Sequence, residues 1–251
     1  MKDIHTFVIL AYKENDNLED CIKSIMKQSV KSNVIIATST ENNYIKDVAS
    51  KYGLGLMVNH EPSSKARDYN FAIDTFNTEL ITIAHQDDFY DRNYTKEVIK
   101  EYKNNNKDAS IFFTDIYELD NDRIIRKSKD LFRRRFKLWP LKFKRFQSSK
   151  YFKLRTLKKE KYFCTSSVTF VKRNIGNNFF PENFSSYTDW MGFLNLANSD
   201  SKFVFIDKQL VGYRLIPKKK TKKMINEEKE ILYNSYKKEY VDKYIKRKYR
   251  D

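Results

Sequence analysis

The chain has 251 residues, with 49 Lys+Arg against 33 Asp+Glu for a formal net charge of +16, and 40% of its side chains are hydrophobic and 15% aromatic. That much apolar material beside only five Gly and four Pro excludes a disordered or low-complexity chain. Two cysteines, Cys21 and Cys164, are too few for a disulfide framework, and His5, His60 and His85 lack structural-zinc spacing.

In chain order, residues 4–10 and 33–38 are β-branched runs that predict strands on either side of a helix over 16–28, in which Leu18, Ile22, Ile25 and Met26 share a face. A helix at 42–52, a short strand at 54–59, a helix at 64–76, a strand at 80–85 and a helix at 91–104 follow. Such a βαβα series predicts an α/β fold with a mostly parallel sheet and helices on both faces. A strand at 110–117 precedes a basic stretch, after which come a strand at 165–172, a helix at 187–198 and closing strands at 203–206 and 210–215. There is no internal repeat.

The charge is uneven. Residues 123–161 hold 17 basic and 2 acidic side chains and residues 218–251 hold 13 and 6, which leaves the remainder at −6. The first segment sets its cations among Leu131, Phe132, Phe136, Leu138, Trp139, Leu141, Phe143, Phe146, Tyr151 and Phe152. That composition suits an anionic membrane surface with rings at the interface, phosphate and base contacts with nucleic acid, or a solvated element whose aromatics pack on the body. The acidic remainder, and the distance of the charge from the sheet motifs, speak against nucleic acid. In the tail, Ile225, Ile231, Leu232, Tyr236, Tyr240 and Tyr244 recur at near-helical spacing, which predicts an amphipathic helix docked on the protein or on a membrane. Phe7 to Tyr12 is far shorter than the roughly 20 residues of a spanning helix. Lys2 and Asp3, with no small-residue cleavage site, speak against a secretory signal, so the expected location is the cytosol.

In an open α/β sheet, ligands sit at the carboxyl ends of the strands, here 11–14, 38–41 and 85–88. The third, His85-Gln86-Asp87-Asp88, carries adjacent carboxylates that repel unless compensated. Mg²⁺ or Mn²⁺ shared with substrate phosphates would compensate them; the alternative is a cap for the helix that begins at Asp91.

Taken together and in this order, FVILAYKENDNLEDCIKSIMKQS, SSKARDYNFAI, ITIAHQDDFYDRNY and SSYTDWMGFLNLA resemble bacterial family-2 glycosyltransferases of the GT-A fold, over about residues 5–215. The resemblance implies a Rossmann-like mixed, mostly parallel sheet flanked by helices, interrupted by the basic aromatic-rich insertion and followed by a helical tail. It divides the chain into a transferase domain at 1–217 (nucleotide-sugar half about 1–120, insertion about 123–161, acceptor half about 162–217) and the tail at 218–251. The implied reaction moves a sugar, with inversion, from a nucleoside diphosphate, UDP first, to a hydroxyl of a bacterial surface glycan or lipid-linked oligosaccharide at the inner face of the cell membrane.

Carried onto this sequence, the family's nucleoside contacts fall on Ala11, Tyr12 and Glu14 and on Thr38 and Ser39, where relatives place an Asp and the nearest acid here is Glu41. Arg67, Asp68 and Asn70 fall beside the donor, with Arg67 able to fork onto diphosphate oxygens or to pair with Asp68. Gln86 and Asp87 fall on the donor, and Asp87 and Asp88 on the Mn²⁺ or Mg²⁺, with His85 where the family often has an acid. Asp189 falls on the general base, with a helix cap as its alternative role. Thr188 and Trp190 fall on the acceptor side, Trp190 either stacking on a sugar or filling the core. Ile216 stands where a His often follows the Tyr213-Arg214 pair. Two other classes remain open: a nucleic-acid-binding protein, and a catalytically inactive scaffold, which the altered Ser39 and Ile216 positions allow.

Overall fold

The computed structural model describes residues 4–105, 108–120, 123–157, 161–184 and 187–215; the predicted tail lies outside them. The run β1 (His5–Ala11) is buried along nearly its whole length and stands between β2 (Asn33–Thr38) and β4 (Leu80–His85), parallel to both. β3 (Gly55–Val58) extends this parallel set beyond β2. The connections are α1 (Leu18–Met26), α2 (Asn43–Lys51) and α3 (Lys65–Asp74). Polar residues mark where helices start: the Asn42 side chain accepts from the Ile45 amide and Ser64 Oγ from the Arg67 amide, satisfying donors with no partner inside the first turn. α1 buries Leu18, Ile22 and Ile25 as their spacing requires, whereas Met26, on the edge of that face, is exposed.

Among the described residues, the second half completes one nine-stranded sheet. β8 (Val168–Val171) lies antiparallel between β4 and β6 (Ala109–Asp120), and β9 (Lys202–Arg214) runs parallel to β6. The two-residue β5 (Phe89–Tyr90) pairs with β9, and β7 (Arg123–Ile125) folds back on β6. α4 (Tyr94–Asn104) and α8 (Thr188–Ala197) complete the cover. One apolar layer lies beneath α3 and α8, the other beneath α1, α2 and α4, so both faces are shielded, as a parallel sheet demands.

Three differences from expectation bear on how the sheet closes. The two closing strands are one: pairing jumps from Thr114↔Ile206 to Asp115↔Gln209, so Asp207 and Lys208 bulge out of a continuous β9 rather than forming a turn. The helix expected from Asp91 starts at Tyr94, because Phe89 and Tyr90 are taken up by the sheet edge. Thr165–Ser167 is a helical turn, and β8 begins only at Val168.

The basic segment becomes α5 (Lys129–Leu138), a tight turn at Trp139–Lys142, α6 (Lys144–Gln147) and α7 (Lys150–Arg155). Its leucines point inward. Leu131, Leu138, Leu141, Leu154 and Leu157 are buried, each contributing about 1.5–3 kcal/mol by leaving water. Several of its aromatics point outward, with Phe132 at 74%, Phe136 at 58% and Trp139 at 50% exposure, whereas Phe152 packs against the core. Among the described residues, no helix is long and apolar enough to cross a membrane.

Candidate active site

The carboxyl ends of β1, β2 and β4 and the first turn of α3 enclose a cleft of about 520 Å³. Ala11 and Tyr12 come from β1 and the residue after it, Thr38 and Ser39 from the end of β2, Ser63, Ser64, Lys65, Asp68 and Tyr69 from the start of α3, and His85 to Asp87 from the end of β4. The loops are tied together. Gln86 accepts from the Tyr12 amide (2.9 Å) and donates to the Tyr12 carbonyl (3.0 Å). Lys13, at φ +56°, donates its amide to Thr40 Oγ1. Across the cleft, Ser39 Oγ donates to Asp68 Oδ2 (2.9 Å) and Asn59 Nδ2 to Asp68 Oδ1 (3.1 Å).

His85, Asp87 and Asp88 converge, each offering a ligand atom within 4.8 Å of the others. Asp88 is 3% exposed. Its Oδ1 accepts from the Arg214 amide, so it braces β4 against β9 instead of capping α4. Its Oδ2 is buried with no hydrogen-bond partner, and the nearest ring nitrogen, His85 Nδ1, is 3.5 Å away. Burial, together with the neighbouring Asp88, pushes the Asp87 carboxyl up. A buried carboxylate oxygen without a donor is costly, and two crowded carboxylates fit a divalent cation. The other His85 nitrogen, Nε2, lies 2.6 Å from the Tyr69 hydroxyl, a phenol that burial keeps protonated.

Asp189 sits in the first turn of α8, 7% exposed. Lys65 Nζ reaches its Oδ1 at 3.0 Å, while Lys161 Nζ and Thr165 Oγ1 (2.7 Å) both donate to Oδ2. Burial alone would raise this carboxyl, but Lys161 and Lys65 outweigh it and hold it well below the usual carboxylate range. Burial in turn lowers the Lys161 ammonium, and Asp189 offsets part of that. These contacts go to side chains, not to the amides at the start of α8, so Asp189 is not a cap.

Other expected positions lie elsewhere. Glu14 is exposed and outside the cleft wall. Arg67 faces away: its Nε pairs with Glu182 at 2.8 Å and its Nη1 donates to the Pro62 carbonyl, so it meets neither the cleft nor Asp68. The reason is helical geometry, since Arg67 is two residues from Lys65 and hence about 200° around α3 from it. Asn70 is buried and exchanges two hydrogen bonds with the Phe180 backbone. Trp190 fills the core, donating Nε1 to the Leu157 carbonyl, and Thr188 donates to the Pro181 carbonyl. The sequence reading passed over Lys65, Tyr69 and Lys161. Lys65, Asp68 and Tyr69 lie at helical spacing (i, i+3, i+4), which marks one face and was the available signal.

The family model described as "Glycosyl transferase family 2" matches residues 6–176. Among solved structures, residues 1–349 of S. aureus TarS in complex with UDP superimpose with a TM-score of 0.63 at 15% identity, over 85% of this chain and 61% of that one. The same fragment with UDP-GlcNAc gives 0.63 at 16% identity, over 88% and 60%. The mannosyltransferase PcManGT from Pyrobaculum calidifontis, in complex with GDP-Man and Mn²⁺, gives 0.61 at 14% identity, over 86% and 57%. The chain thus spans about three fifths of the length of the TarS fragment. At these identities the likeness is one of fold. No curated protein sequence matches the chain.

Proposed function

The chain belongs to glycosyl transferase family 2 and has the GT-A fold, and from that premise we propose that it transfers a sugar, with inversion, from a nucleoside diphosphate to an acceptor hydroxyl. The observation that carries this reading is the cleft at the strand ends, with Asp87 in its wall and the donorless oxygen of Asp88 beside it. Ala11, Tyr12, Thr38, Ser39 and Asp68 form the nucleoside side, and Gln86 fixes the β1 loop against β4 so that this side is preorganised. Asp87 and Asp88 would hold Mn²⁺ or Mg²⁺, and such an ion, when bound, neutralises the diphosphate as it leaves. Asp189 takes the acceptor proton, Thr165 orienting its carboxylate. A uridine donor is our first choice; the neighbours were solved with uridine and guanosine nucleotides alike.

The same reading places the chain in the cytoplasm, with a bacterial surface glycan or lipid-linked oligosaccharide as acceptor, and seats α5 to α7 on an anionic membrane surface. Support comes from the outward Phe132, Phe136, Trp139 and Tyr151 beside Lys144 and Arg145. The test of function is a panel of nucleotide sugars with and without Mn²⁺ or Mg²⁺, followed by thermal unfolding and by release of nucleoside diphosphate. Metal-dependent stabilisation by one donor with turnover supports transfer. Stabilisation without turnover on any acceptor favours the scaffold reading, and tight, salt-sensitive retention of a random DNA duplex favours the nucleic-acid reading.

A further inference from the structure

Two ammonium groups and a hydroxyl on the oxygens of Asp189 make its carboxylate a poor proton acceptor. One of those ammonium groups has a second possible partner. Among the described residues that line the cleft, Lys65 is the one lysine or arginine, and the wall around it carries the acids Asp68 and Asp87. Lys65 holds its ammonium over the ring of Tyr69 in the cleft wall, 5.4 Å from the ring centroid, while it pairs with Asp189, which is not part of the wall. It also stands at the first position of α3, where the backbone amides of a ten-residue helix present partial positive charge toward the cleft. A diphosphate in the cleft meets Lys65 in its wall, and that lysine is already engaged with Asp189.

We propose that Lys65 exchanges between Asp189 and the donor diphosphate, so that filling the cleft removes one of the two cations that restrain the base. This rests on the nucleotide-sugar reading of the cleft. Lys65 acts on the base as a positioning residue, and Lys161, which lies outside the cleft wall, stays on Asp189 in both states. The exchange makes donor binding precede deprotonation of the acceptor: without donor, the carboxylate is doubly paired and inert. It also makes Asp189 and the donor competitors for one ammonium. Two sites that share a partner must show coupling of equal size in both directions.

That competition has a signature that a purely structural ion pair would not produce. UDP, GDP, CDP, ADP and dTDP are titrated calorimetrically, with Mn²⁺ present, into wild type, Lys65→Met, Asp189→Asn, Lys161→Met and the double variant Lys65→Met/Asp189→Asn, with circular dichroism as the check on folding. Lys65→Met should weaken the preferred diphosphate about tenfold, in line with the loss of a charge-assisted contact. Asp189→Asn should tighten it about three- to tenfold, because Lys65 is released, and this gain should vanish in the double variant. Lys161→Met should weaken it a few-fold, because Asp189 then holds Lys65 more firmly. Wild-type binding with Asp189→Asn unchanged or weaker overturns the exchange and leaves the donor reading standing. Absence of any diphosphate binding by wild type overturns both. Should Asp189→Asn fail to fold, Lys161→Met decides: weaker binding supports the exchange, and unchanged or tighter binding overturns it.

Discussion

Residues 5–90 and residues 129–155 both set charged side chains among apolar ones, but they fix them by different means. In the first region, the polar groups stand just beyond strands whose direction is set by a parallel ladder, so His85, Gln86 and Asp87 arrive at the cleft because β4 ends there. In the second, charges ride on helices of four to ten residues, where each position turns by about 100°. Arg133, Arg134 and Arg135 are neighbours in sequence with different fates: Arg133 pairs with Asp130 in the same helix, Arg134 turns in to donate to Cys164 Sγ, and Arg135 pairs with Asp207 on the β9 bulge. Lys142 joins Asp207 as well. The lesson is that a strand end collects its polar residues at one place, whereas a helix scatters a basic run over several surfaces. Arg134, Arg135 and Lys142, which the sequence sets in one basic run, are engaged with the body.

The largest effects should come from the strand-end side of this comparison and its partner α8. Asp189→Asn should lower turnover by a factor on the order of 10² to 10⁴ while keeping the fold, measured as release of nucleoside diphosphate at saturating donor; retained turnover would move the base elsewhere, Glu182 being the next acid to test. Asp87→Asn should weaken Mn²⁺-supported diphosphate binding on the order of 10²-fold, since even outer partners of a metal site matter 10- to 100-fold; equal, metal-independent affinity in the variant would remove the metal role.

On the helical side, the inward and outward faces should separate. Leu138→Ala and Leu141→Ala, at fully buried positions, should each destabilise by about 2–5 kcal/mol in chemical denaturation. Changing Phe132, Phe136 and Trp139 together to Ser should leave stability nearly untouched yet reduce sedimentation with anionic vesicles about tenfold at low salt. If wild type ignores anionic vesicles, the membrane reading of α5 to α7 fails and the transferase assignment is unaffected.

The smallest effect concerns Asp115, 3% exposed on β6, whose carboxyl burial pushes up to about 6 even though it accepts from the Ile116 amide. The folded state therefore holds this proton more tightly than the unfolded one. The sign follows: stability linked to Asp115 is greatest below about pH 4 and falls as pH rises through about 6. Asp115→Asn keeps the acceptor oxygen and removes the charge, so it should stabilise by about 1–3 kcal/mol at pH 7.5 and by almost nothing at pH 4. A pH-independent difference would assign the effect to packing.

The alternation of apolar runs and polar ends made β1 to β4, their helices and the Asp87-Asp88 pair legible in the sequence, because period and position are local properties. The β9 bulge was not, since Asp207 and Lys208 read as a turn until the long-range ladder with β6 is known. Nor was the Asp189 pairing, which joins α8 to α3 and to the end of the insertion across 124 and 28 positions of chain. The place of Arg67 outside the cleft wall rests on a local fact, since it stands two residues and about 200° around α3 from Lys65.

The paired hydrogen bonds of Gln86 carry a chemical vulnerability. β1 and β4 pair up to Leu10↔His85, and beyond that rung the Gln86 amide takes the place of a peptide group against Tyr12. A side-chain amide accepts from an N–H through its oxygen and donates to a C=O through its nitrogen at once, which a carboxylate, an acceptor only, cannot do. Deamidation, which swaps that donor for a second acceptor, would set a negative oxygen against the Tyr12 carbonyl and open the cleft along this seam. The age of a molecule, as well as its sequence, therefore bears on whether its cleft stays closed.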